Sequence, residues 1–135
     1  MFTHQTQLRV RYSETDQMGY VYYGNYAAYF EVGRVEALRA LGMPYRAIEE
    51  QGVMLPVRTY EIRYRKPATY DDLLTIETTI PKLPEGRILF TYKCMRGEEL
   101  LTEASTELVF IDRESMRPTR CPQALTTALS PFFSA

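Results

Sequence analysis

The sequence predicts an α+β fold in which five antiparallel strands curl around one long helix. Three observations carry this. From Asn25 the pattern is helical, with Tyr26, Tyr29, Phe30, Gly33, Ala37 and Leu41 recurring at three- and four-residue steps. After Gly52 the period changes to two and stays two through four long segments. Turn-forming residues separate neighbouring segments, Pro84-Glu85-Gly86 and Gly97-Glu98 among them, so consecutive strands run antiparallel.

Taken in order, Gln5 to Tyr12 alternates and reads as the first strand. Ser13 to Gly19 is rich in Ser, Thr, Asp and Gly and reads as a loop. The long helix follows, with Glu31–Arg34 and Glu36–Arg39 as supporting pairs on its surface. It should stop at Leu41 or Gly42, with Pro44 beyond. Pro44 to Gln51 reads as a short second helix ended by Gly52. Tyr60, Ile62 and Tyr64 alternate with Glu61, Arg63 and Arg65 in the second strand. Leu74, Ile76 and Ile80 mark the third, and Ile88, Phe90, Tyr92 and Cys94 the fourth. Ala104, Leu108 and Phe110 mark the fifth. An antiparallel sheet needs one face covered, and the chain has one long helix to cover it. That helix is too small for the whole sheet, so the chain is expected to oligomerise by edge pairing or sheet contact.

Composition narrows the function classes. The 135 residues fit one domain spanning 1–135, and 45% apolar residues allow a sizeable core. Net charge is −1, which argues against a nucleic-acid partner. No apolar run reaches the roughly 20 residues of a membrane span, and the N-terminus lacks the apolar stretch of a secretory signal. Cys94 and Cys121 have no metal or redox spacing and read as reduced thiols of a cytoplasmic protein. His4 is the sole histidine, so a metal site is not expected. Eleven tyrosines and no tryptophan supply rings suited to strands, a half-wet cleft or a subunit contact.

The stretch that carries chemistry is Tyr12 to Arg34, YSETDQMGYVYYGNYAAYFEVGR. Asp16 stands in the loop, and the helical pattern begins seven to nine residues on, at Tyr23, Gly24 and Asn25. A carboxylate near the free N–H groups of a helix start is equipment for acyl transfer: one attacks or activates water, the other binds the developing oxyanion. The plainer reading of Asp16 is a turn cap, and of Asn25 a helix cap. Gly19 and Gly24 permit either close approach to a ligand or simply the turn. Arg58, Arg63, Arg65, Lys66 and Arg87 are candidates for phosphate contact or for a solvated strand face.

Arg11-Tyr12, Thr15-Asp16, Gly19, Val21, Tyr22-Tyr23, Asn25-Tyr26, Phe30-Glu31 and Arg34 together resemble the hotdog-fold acyl-CoA thioesterases. The likeness is to the 4-hydroxybenzoyl-CoA thioesterase-like branch, which includes the Tol-Pal-associated enzymes. It extends more weakly through Tyr64-Arg65-Lys66-Pro67-Ala68 and Asp72-Leu73-Leu74-Thr75-Ile76. The resemblance implies a five-stranded sheet wrapped around the helix and active sites between subunits of a homodimer or homotetramer. It implies Asp16 as the catalytic carboxylate, serving as nucleophile or general base, and the backbone N–H near Tyr23 as the carbonyl-polarising group. Gly19, Val21, Tyr22, Gly24, Asn25 and Tyr26 would bind the acyl-CoA substrate, whose coenzyme A is the carrier part of the substrate, so no retained cofactor is implied. Many Tol-Pal-associated members have a histidine where this chain has Tyr23, so a histidine mechanism is not implied. The alternatives are a thioesterase acting on acyl carrier protein and a non-catalytic acyl-CoA-binding protein. The acyl pocket is expected to involve the helix start with Tyr22, Tyr26 and Tyr60, and to favour aromatic or short-to-medium acyl groups.

Overall fold

The computed structural model describes residues 1–133. Strand β1 is Phe2–Arg9. A 3₁₀ turn at Tyr12–Glu14 leads into the loop of Asp16, and a second at Tyr23–Asn25 runs directly into helix α1, Tyr26–Ala40. Helix α2 is Tyr45–Glu50. Strands β2 (Val53–Met54), β3 (Val57–Tyr64), β4 (Leu73–Ile80), β5 (Arg87–Arg96), β6 (Glu99–Val109) and β7 (Ile111–Asp112) follow, and then helix α3, Gln123–Leu129. The main sheet has five strands in the order β1-β4-β5-β6-β3, all pairings antiparallel.

Alternation decides which side of each strand faces the helix. On β4, Leu74, Ile76, Thr78 and Ile80 are buried. On β5 the buried set is Ile88, Phe90, Tyr92 and Cys94. These meet Tyr26, Tyr29, Phe30, Ala37 and Leu38 of α1 in one core. Burial of each large apolar side chain stabilises the fold by roughly 1.5–3 kcal/mol relative to exposure. The helix approaches the sheet most closely at Gly33, where a Cβ would lie 2.6 Å from both Ile76 Cγ2 and Thr78 Oγ1. Only glycine allows that spacing.

The helix stops as expected and for an identifiable reason. Gly42 takes φ +78, its N–H donates to Arg39 O at 2.9 Å, and Met43 N–H donates to Leu38 O at 2.9 Å. This is the paired closing bond pattern of a helix C-terminus, with Met43 buried beneath it.

Several expectations change. The first strand begins and ends earlier than Gln5–Tyr12, because its core-facing side includes the polar His4 and Thr6, which hide the alternation. Helix α3 and the two-stranded β2–β7 pair were not expected from the pattern. The Glu36–Arg39 pair forms at 3.3 Å. The Glu31–Arg34 surface pair does not. Arg34 turns inward and is buried, with Nε donating to Tyr45 Oη at 2.7 Å and Nη1 to Tyr92 Oη at 3.1 Å. Tyr92 Oη also bonds Thr106 Oγ1 at 2.6 Å. The guanidinium is thus satisfied by hydroxyls, with no carboxylate within ion-pair distance among the described residues.

Helix α1 lies mainly over the β1–β4 side of the sheet, and β3 is the edge strand at the other end. Seven of the eight residues of β3 are exposed, including Val57, Tyr60 and Tyr64.

Candidate active site

The loop that carries Asp16 is a small closed turn. Thr15 and Val21 form an antiparallel bridge. Asp16 N–H donates to Tyr20 O at 2.8 Å, and Gly19 N–H donates to Asp16 O at 3.0 Å. Gly19 sits at φ +79, the left-handed region that glycine enters without steric cost. The Asp16 side chain takes part through one oxygen only. Its Oδ1 accepts from Met18 N at 2.9 Å and Tyr20 N at 3.3 Å. No hydrogen bond among the described residues reaches Oδ2. The turn-capping and reactive readings of Asp16 are therefore compatible: one oxygen fixes the carboxylate and the other is available.

The chain then crosses to the helix start. Tyr22 N–H donates to Glu14 O at 2.9 Å, and Val21 N–H to Ala68 O at 2.8 Å. Asn25 N–H donates to Tyr22 O at 2.9 Å, closing the 3₁₀ turn. The N–H groups of Tyr23 and Gly24 form no hydrogen bond among the described residues, as the geometry of a helix start requires. Asn25 does not cap the helix with its side chain, contrary to expectation. Its Nδ2 donates instead to Glu14 O at 2.8 Å. The ring of Tyr22 folds over Gly24, where an added Cβ would meet it at 2.9 Å.

Asp16, Val21, Tyr23 and Tyr26 come together with Tyr64 and Lys66 around a cleft of about 320 Å³. Among the described residues Asp16 is the only one with a carboxylate that lines it. Gly19, Tyr22, Gly24 and Asn25, expected to bind substrate, are not among the residues that line it. Tyr60 lies further along β3 against Phe30, and Tyr64 takes the place expected for it, with its ring against Tyr26 and its hydroxyl donating to Tyr23 O at 3.3 Å. The alternation of Tyr60, Ile62 and Tyr64 was the signal that put Tyr64 on this face. Arg65 and Lys66 reach the same cleft and bind Glu103 and Glu99, each at 2.7 Å. Arg58 and Arg87 pair with Glu107, away from the cleft.

Burial pushes the Tyr26 and Tyr64 phenols up, so both stay protonated in neutral water. Burial likewise pushes the Cys94 thiol up to about 12, which makes it inert. Glu31 lines a separate groove of about 810 Å³ with Arg34, Tyr45 and Val57. That groove shares no lining residue with the Asp16 cleft.

The family model of the thioesterase-like superfamily matches residues 10–129. The acyl-CoA thioesterase YbgC of Haemophilus influenzae is 34% identical over 122 residues, 90% of each chain. The acyl-CoA thioester hydrolase YbgC of Escherichia coli O6:H1 is 34% identical over 119 residues, 87% of this chain and 89% of the other. Among solved structures, the DHNA-CoA thioesterase of Staphylococcus aureus superposes with a TM-score of 0.87 at 32% identity, covering 100% of this chain and 97% of that one.

Proposed function

The chain belongs to the thioesterase-like superfamily, and from that premise we propose how its residues divide the work of cleaving a thioester. The protein is an acyl-CoA thioesterase: acyl-CoA and water give a carboxylic acid and free CoA. The observation that carries the assignment of roles is that a half-anchored carboxylate, Asp16, lines one cleft with Tyr23, whose backbone N–H is unbonded among the described residues.

The thioester carbonyl carbon is attacked at the cleft. Asp16 acts through Oδ2, either by adding to the carbon and forming an anhydride that water then opens, or by taking a proton from the attacking water. In both routes the carbonyl oxygen gains negative charge beside the helix start. The N–H of Tyr23, with that of Gly24, stabilises that charge, a contribution worth roughly 10²–10³ in rate per donor. Collapse of the tetrahedral species releases the CoA thiolate. Val21 and the rings of Tyr26 and Tyr64 enclose the acyl group. Flat rings offer area and little depth, which favours aromatic or short-to-medium acyl groups over long chains.

The outer edge of β3 supports a homodimer or homotetramer, because an edge strand of this length with one side unpaired otherwise templates unwanted pairing. Two unpaired thiols, one of them buried, suit the cytoplasm. Among the described residues no helix is long and apolar enough to cross a membrane.

The test is thiol release across aromatic, short-chain and palmitoyl-CoA, by the wild type and Asp16→Asn. Asn keeps the shape but is a poor nucleophile and base, so kcat should fall by at least about 100-fold. Near-normal kcat in the variant removes Asp16 from the mechanism. A steady rise of kcat/KM to sixteen carbons refutes the shallow pocket. Light scattering that gives a monomer at micromolar concentration refutes the oligomer.

A further inference from the structure

The two halves of the site lie on different segments: Asp16 in the loop, and the Tyr23 N–H at the helix start. One residue holds these segments together. Glu14, two positions before Asp16, contacts both through its backbone and its side chain. Its carbonyl oxygen accepts from Tyr22 N and from Asn25 Nδ2, at 2.9 and 2.8 Å. Its carboxylate Oε1 accepts from Arg11 N at 2.8 Å and from Tyr29 Oη, on the first turn of α1, at 3.0 Å. Its Oε2 accepts from Arg11 Nε at 3.2 Å and Nη2 at 3.0 Å. Four donors therefore converge on a carboxylate whose side chain is 15% exposed.

We infer that Glu14 is a positioning residue, a carboxylate strap that fixes the distance between the Asp16 carboxylate and the oxyanion-binding N–H groups. The inference rests on the reading of Asp16 given above. The geometry explains why a carboxylate is needed. Arg11 N and Tyr29 Oη both donate to Oε1, and the guanidinium donates twice to Oε2. A glutamine has one acceptor oxygen, and its amide NH₂ would face either the guanidinium or the two other donors. Partial burial pushes the Glu14 carboxyl up, yet the hydrogen bonds from the Arg11 amide, its guanidinium and Tyr29 outweigh this and hold it below its ordinary value. It therefore stays ionised across the neutral range, and the strap does not slacken there. Among the described residues the Glu14 side chain bonds Arg11 and Tyr29 and not Asp16, so its influence passes through the placement of the two segments. Misplacing reacting groups by a fraction of an ångström to an ångström is enough to lower kcat markedly.

The test is a double-variant cycle on single-turnover thiol release, with Glu14→Gln, Asp16→Asn and their combination, using enzyme in excess so that the slow background is measured. Glu14→Gln should lower kcat about tenfold and leave KM within about twofold, the pattern of an interaction felt in the transition state. On the Asp16→Asn background the same change should cost less than about twofold, because a residue that acts by positioning Asp16 has nothing left to position. Tyr29→Phe removes a single bond to the strap and no charge. It is taken through the same cycle, should give a smaller loss with the same dependence on Asp16, and decides the matter if Glu14→Gln does not fold. A kcat near wild type in both strap variants overturns the inference, as does an equal fractional loss on both backgrounds, which would mark general softening. Near-normal activity of Asp16→Asn alone overturns the reading of Asp16 instead, so the two failures are distinguishable.

Discussion

Replacing Gly33 by alanine sets two effects of opposite sign against each other. In an ordinary helix interior, Gly→Ala stabilises by roughly 0.5–1 kcal/mol, because glycine loses more backbone freedom on folding. Here the new methyl would lie 2.6 Å from Ile76 Cγ2 and from Thr78 Oγ1. Both residues are fully buried on β4, itself held on one side by β1 and on the other by β5. Neither side chain is a flexible tip that can swing aside. Relief requires α1 to lift from the sheet by about 1 Å, and inserting a methyl into a packed core costs about 1–3 kcal/mol. Two simultaneous contacts on a fixed strand put the cost near the upper end. The net effect is a destabilisation of about 2 kcal/mol, or a fall in Tm of roughly 6–10 °C for a chain of this length. The assay is urea and thermal unfolding by circular dichroism at one fixed protein concentration, since association shifts apparent stability. An unchanged or raised Tm would refute the reasoning, because helix propensity would then outweigh the close approach.

Two further predictions follow from buried or tightly held polar groups. Tyr92→Phe removes the hydroxyl that accepts from Arg34 and bonds Thr106, leaving a buried guanidinium donor unpaired; it should cost about 1–3 kcal/mol in urea unfolding, and a shift within error would mean that the Arg34 network contributes nothing. Partial burial pushes the Asp72 carboxyl up, but the Thr69 amide and Arg96 hold it below its ordinary 3.8. The folded state thus binds that proton less readily than the unfolded chain, so this stabilisation is complete above 3.8 and is lost as pH falls through the lower folded value. Asp72→Asn should be less stable than wild type at pH 7 and converge toward it in acid; urea midpoints measured down the pH scale that stay parallel for the two proteins would contradict this.

Much of this architecture was legible in the sequence because burial imposed a period on it. Helix α1 and strands β4, β5 and β6 keep enough apolar spacing to be read, although Leu73, Leu89 and Val109 break strict alternation, and Gly42 and Gly52, both at φ +78, mark where the helices end. The loop of Asp16 was legible because few residue types can make so tight a turn. What escaped has physical reasons. The core-facing side of β1 carries His4 and Thr6, so polarity does not report its direction. Helix α3 has seven residues, too few for a period to show, and only Leu125 and Leu129 after Pro122 signalled it. Arg34 reads as a surface residue by charge, and its burial depends on Tyr45 and Tyr92, hydroxyls distant in sequence. Glu14 escaped for the same reason: its partners Asn25 and Tyr29 lie eleven and fifteen residues on, across a turn that spacing alone does not close.

The bare edge strand also dictates when the site can exist during synthesis. Every residue lining the Asp16 cleft emerges by Pro67. Yet β3, which brings Tyr64 to that cleft, pairs only with β6, Tyr64 opposite Thr102 and Val57 opposite Leu108. Strand β1 in turn waits for β4, Phe2 opposite Ile80. Such distant pairings incur their loop-closure entropy before any contact offsets it, which slows folding. A nascent chain that already holds all of its cleft-lining residues therefore still lacks the surface that organises them until Glu99–Val109 has left the ribosome. The lining is thus complete in the chain well before the strand that holds it, and a fragment ending before β6 lacks the pairing that places Tyr64.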